Sequence, residues 1–138
     1  GDGRDARTNA PGVSSILHCS PGFDVDFDAW CSHFSVLPAV LDLANLTSEL
    51  CLVCFHPRYV LPDRFAGFGH MHSLEKLKSY VSDAGAEDAD VRASGEWQRR
   101  MPHATLNVLW ASHMQEGEND RVSEELYTTN YRAYMKEK

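Results

Sequence analysis

The alternation of apolar and polar positions divides the chain into segments before any residue is weighed for its chemistry. Six apolar residues, Leu50-Cys51-Leu52-Val53-Cys54-Phe55, run without interruption and stop at His56-Pro57. A run this short, rich in Leu, Val and Phe, predicts a strand buried on both faces. Pro57 cannot donate to a sheet ladder and disfavours helical geometry at His56, so the strand ends there. Upstream, Ile16-Leu17 predict a first strand within 13–19, closed by the turn chemistry of Ser20-Pro21-Gly22. Phe27, Trp30, Phe34, Leu37, Leu41 and Ala44 then recur at three- and four-residue steps, one helical stripe with Asp24 or Asp26 as its cap. Pro38 falls inside that stripe and predicts a kink, or a break into two short helices.

Strand, helix and strand in this order predict a β-α-β unit with a right-handed crossover and parallel strands. A loop follows, and Ser73 caps a short helix whose apolar face is Leu74, Leu77, Tyr80 and Val81. Residues 83–96 are acidic and small, and read as an exposed connection. From Thr105 the alternation of Leu106, Val108 and Trp110 with Thr105, Asn107 and Leu109 predicts a half-exposed third strand. Asn119 or Asp120 caps a final helix over about 121–136, with Val122, Leu126, Tyr127, Tyr131, Tyr134 and Met135 in one stripe. That stripe serves either as core packing or as an arm laid on a partner; Tyr127, Tyr131 and Tyr134 are its candidate partner-binding residues. The fold expected is a small α/β domain over 13–114, with three or four mainly parallel strands and helices packed on the sheet. An extended tail over 1–12 precedes it, and a C-terminal helix within 119–138 follows. The tail has too few apolar residues to offset its ordering entropy, so it is expected to become ordered against another protein.

Composition changes this picture in three places. A chain of 138 residues suits one domain, and its net charge of −7 argues against non-specific binding to nucleic acid or anionic membranes. No apolar run approaches the length of about twenty residues that spans a bilayer. The chain opens on Gly1 rather than Met, without a signal-peptide pattern, which predicts a processed or trimmed product. Of the four cysteines, Cys51 and Cys54 form a C-x-x-C inside a strand, where their side chains point to opposite faces. That geometry suits neither chelation nor redox exchange, so Cys19, Cys31, Cys51 and Cys54 are expected as reduced, structural thiols.

Several segments resemble the family called domain of unknown function 1415, found in bacteria and photosynthetic eukaryotes. Its members carry an apolar strand running into F-H-P-x-Y, matched by Phe55-His56-Pro57-Arg58-Tyr59, and then an F-A-G, similar to Phe65-Ala66-Gly67. Their last signature, N-R-S-P-Y-P-M-L-H-L-L-R, is similar to the stretch from Arg99 to Trp110, and Asp26-Phe27-Asp28-Ala29-Trp30 resembles their acidic-aromatic helix start. Asn107 stands where the family has a late His, Trp110 where it has Arg, and Ala104 where it has its second Pro. The family's N-terminal L-C-P-F segment has no counterpart. Asn takes no proton at neutral pH and Trp carries no charge. The resemblance therefore points to a family domain whose site has decayed: an accessory subunit of a larger organellar assembly, plastid in preference to mitochondrial, and peripheral to its membrane.

The residues that carry chemistry cluster at the predicted strand ends, where open α/β sheets bind ligands. His56 and His103, with Arg58 and Arg100, are the candidate catalytic set for the alternative reading, a small enzyme acting on an anionic substrate. Arg64 and Arg99 would join the same anion site, with surface salt bridges as the competing use of all four arginines. His70 and His72, two apart in a Gly-flanked loop, are the weak candidates for a metal, which would need a further ligand from His56, His103 or a carboxylate. No metal is expected. No G-x-G-x-x-G, Walker loop or G-x-S-x-G is present, so no cofactor is expected either. The partners expected are other protein subunits.

Overall fold

The computed structural model describes residues 12, 14–61, 72–117 and 120–138. The predicted tail lies outside them except for Gly12, as do Arg64, Phe65-Ala66-Gly67 and His70. Three strands form one sheet: β1 (Ser15–Cys19), β2 (Leu50–Phe55) and β3 (Thr105–Trp110). The helices are α1 (Phe27–Ser35), α2 (Leu37–Leu43), α3 (Leu74–Tyr80), α4 (Asp88–Trp97), α5 (Ala111–Gly117) and α6 (Asp120–Glu137).

The helix predicted across Pro38 is broken in two at Val36, with Pro38 in the first turn of α2, where its missing N–H costs nothing. Asp26 caps α1, its Oδ1 accepting the Ala29 N–H at 2.9 Å. Ser73 caps α3 by accepting the Lys76 N–H at 3.3 Å. The middle of β2 is buried on both faces, as its unbroken apolar run requires.

The predicted mainly parallel sheet is not the sheet observed. Strand order is β1-β3-β2 and both pairings are antiparallel, with Leu52 opposite Val108 and Val108 opposite Ile16. β1 and β2 do run the same way, but β3 lies between them. The reason lies in residues 83–96, expected as an exposed connection, which contain most of α4. Chain leaving β2 passes through α3 and then returns through α4, and the two helices pack on each other with Lys78 Nζ 2.9 Å from Asp88 Oδ1. One crossover helix would have carried the chain to the far end of the sheet; two bring it back to the end it left. There the His56 N–H donates to Arg99 O at 3.1 Å, so β3 starts beside the end of β2 and must run antiparallel.

The core joins Leu52 and Cys54 of β2 to Phe34, Leu77, Val91 and Tyr131, so α1, α3, α4 and α6 all reach the same face of the sheet. Leu106 and Val108 complete it from β3. β1 contributes little: all five of its residues are exposed, and β3 is its principal neighbour. No helix among the described residues is long and apolar enough to cross a membrane.

Candidate functional site

The ends of β1 and β2 and the start of β3 meet at one end of the sheet, since Thr105 pairs with both Cys19 and Phe55. This brings together His56, Arg58, Arg99, Arg100 and His103, with Asp24 from the turn before α1.

His56 is fully buried. Its Nε2 lies 2.7 Å from Phe23 O, a carbonyl that only accepts, so Nε2 bears the hydrogen. Its Nδ1 accepts the Arg58 N–H at 2.9 Å. Both ring nitrogens are therefore committed to backbone, and Phe27 packs at 5.0 Å between centroids. The ring joins the turn before α1 to the turn after β2, and it has no nitrogen left to take a substrate's proton.

The arginines are held in the same way. Arg58 Nη1 donates to Val25 O at 2.8 Å, and Arg100 Nε to Tyr59 O at 3.2 Å. Arg92 Nη2 donates to Leu61 O at 2.9 Å, while Glu96 Oε1 accepts the Leu61 N–H at 3.0 Å. Glu96 also faces Arg92 Nε at 3.5 Å. The irregular backbone at Tyr59 and Leu61 thus finds partners in side chains of α4 and its C-terminal end. Arg99 stacks its guanidinium 5.5 Å from the centre of the Phe55 ring. Arg92 and Glu96 were not among the candidates. Their i, i+4 spacing with Arg100 is a readable signal, but only once residues 88–97 are recognised as a helix.

His103 differs from His56. Its Nδ1 lies 2.7 Å from Asp24 Oδ2, and Asp24 Oδ1 accepts the Ala104 N–H at 2.7 Å. Asp24 was read only as a helix cap; its actual partners lie 79 and 80 residues further on, beyond any local pattern. The His103 ring is half exposed and its Nε2 faces no described partner, which is the posture of an oriented base. No hydroxyl or thiol among the described residues hydrogen-bonds that nitrogen.

The Asp24 carboxyl is held below its ordinary value of 3.8, first by the His103 bond and then by the Ala104 N–H. A lowered folded value means that the ionised form stabilises the fold fully above 3.8, and that this is lost as pH falls through the lower folded value. The Tm difference between wild type and Asp24→Asn should therefore be largest near neutral pH and shrink below the ordinary Asp range. A difference that stays constant into strong acid would show that charge on Asp24 contributes nothing.

Behind this surface lies a buried nest of Trp30, Cys31, Cys54 and Tyr59. Burial pushes the Cys54 thiol up to about 12 and the Cys31 thiol up to about 11, and it raises the Tyr59 hydroxyl above its ordinary value as well. Both thiols stay protonated and unreactive at neutral pH. None of the four cysteines is in a disulfide, and Cys19 alone is exposed. The buried Tyr59 hydroxyl and Trp30 Nε1 find no hydrogen-bond partner among the described residues.

The remaining candidates lie elsewhere. His72 packs edge-on against both Tyr80 and Tyr127, 5.4 Å from each by ring centroids. No group of three or more His, Cys, Asp or Glu that could hold a metal ion occurs among the described residues. Tyr131 is buried in the core, Tyr127 stacks on Tyr80 at 5.5 Å, and Tyr134 packs 6.2 Å from Trp97. The tyrosine stripe thus faces this chain's own α3 and α4, and of the stripe Val122, Leu126 and Met135 are left exposed. Comparison with protein-family models, curated proteins and solved structures finds no match in any of the three.

Proposed function

We propose that this chain is a non-catalytic accessory module that docks on a larger protein assembly through the outer face of α2. The observation that carries this reading is that α2 is apolar on two sides. Leu37 and Leu41 pack against the core, while Val36, Val40 and Leu43, one turn apart along the outside, are 55%, 55% and 87% exposed. A helix with apolar residues on both its inner and outer sides belongs in an interior. The commitment of His56, Arg58 and Arg100 to backbone partners supports the non-catalytic half of the reading. An organellar host, plastid before mitochondrial, is carried by the motif resemblance alone.

The test is a pair of substitutions at exposed positions, Val40→Lys with Leu43→Lys, which should change the unfolding free energy by no more than about 1 kcal/mol. In gently prepared native extract the wild-type chain should migrate in a complex well above twice its 15.5 kDa, and the variant should not. Wild type migrating no larger than a pair of its own copies would overturn the reading. So would a variant that keeps the large complex.

A further inference from the structure

We infer that β1 is a self-pairing edge, joining two copies of this chain antiparallel across a two-fold axis at Leu17. The strand stands at the end of the β1-β3-β2 order, with β3 on one side and no described strand on the other. Among the described residues nothing pairs with its outer N–H and C=O groups, which leaves that side of the ladder open to a further strand. Natural edges are commonly blunted by charge, Pro or a bulge, and Ser15-Ile16-Leu17-His18-Cys19 contains neither a charged residue nor Pro. Ile16 and Leu17 are 59% and 55% exposed, one on each face of the sheet. The opposite edge differs, because β2 is buried along its middle.

Charge favours a second copy as the occupant. The chain carries a net charge of −7, so most of its surface repels a copy of itself. A two-fold axis brings each residue near its own counterpart, which is tolerable only where charge is absent. Between Arg7 and Asp24 the sequence has no Asp, Glu, Lys or Arg, and β1 lies inside that interval. Antiparallel pairing centred on Leu17 sets it against Leu17 of the second copy, Ile16 against His18 and Ser15 against Cys19. No like charges meet.

Packing favours the same occupant. Ile16 and His18 lie on the face that carries Leu52, Cys54, Leu106 and Val108, but the helices do not extend over them. Joining two edges makes one continuous sheet of six strands, a common size, from two three-stranded sheets that each end in exposed apolar residues. The contact rests on β1 and on none of the α2 residues, so it stands independently of the proposed assembly.

Sedimentation equilibrium of the full-length chain, from micromolar to millimolar, tests the pairing. Wild type should approach twice 15.5 kDa, and Leu17→Lys and Leu17→Glu should each raise the dissociation constant by about tenfold or more, since like charges would then meet at the axis. Mixing the two variants should restore dimers in a one-to-one ratio, while Val40→Lys should dimerise as wild type does. Hydrogen exchange on the wild type alone gives a second measurement: the β1 amides should gain protection on going from dilute to concentrated solution. A wild type that stays monomeric with unprotected β1 amides overturns the inference. Dimers that survive both Leu17 substitutions overturn it too, as does a mixture that fails to recombine.

Discussion

Phe34→Ala should lower the unfolding free energy by about 3–5 kcal/mol, the usual loss when a core ring is removed. Phe34 is 3% exposed and shares one cluster with residues from β2, α3, α4 and α6. Its ring is therefore one of the main contacts by which α1 joins the rest of the molecule, beside those of Phe27 with His56 and Tyr59, and neighbours on several separate elements cannot all collapse into the space it leaves. Urea unfolding of wild type and variant measures the difference. A loss below about 1 kcal/mol would mean that the ring is not in the core and that α1 meets the sheet through another face.

Phe34 was readable from the sequence because its signal is local. A large apolar residue repeating every three or four positions identifies a helix and its buried side, and Pro38 marks the break. β2, β3 and α6 were legible for the same reason. α4 was not, because its buried side consists of Val91, Ser94 and Gly95. Small residues can be buried without leaving an apolar stripe in the sequence, and α4 packs on both α3 and α6. Residues 83–96 consequently look polar and exposed when read alone. That single omission accounts for the wrong sheet, since strand direction depends on how many helices separate the strands. It also concealed Glu96, whose carboxylate holds the Leu61 N–H.

The candidate site was legible in position but not in role. His56-Pro57 marked the strand end, and His103 and Arg100 did come to the same end of the sheet. What the sequence could not show is which hydrogen bonds each group would make. Phe23 O, the partner of His56, lies 33 residues away, and a backbone carbonyl leaves no trace in side-chain pattern. The tyrosine stripe shows the same limit from the other direction. Periodicity establishes that Tyr127, Tyr131 and Tyr134 share a side of α6, whereas only tertiary structure decides that α3 and α4 cover it.

The role assigned to His56 makes a prediction that a catalytic role does not. His56→Ala removes the bond to Phe23 O at 2.7 Å and the acceptor for the Arg58 N–H at 2.9 Å. Each backbone group then loses its partner in a part-buried setting, and the missing ring leaves a void beside Phe27. Together these should cost about 2–4 kcal/mol in unfolding free energy. His56→Asn places an acceptor near the former Nδ1, and His56→Gln a donor near the former Nε2. Each should recover part of the loss and neither all of it, because each restores one bond of the pair. Groups built into a site for proton transfer do not show this pattern, since their removal often leaves stability unchanged or improved. An unfolding free energy for His56→Ala within about 0.5 kcal/mol of wild type would mean that the ring does not hold these turns together, and His56 would become a candidate for chemistry again.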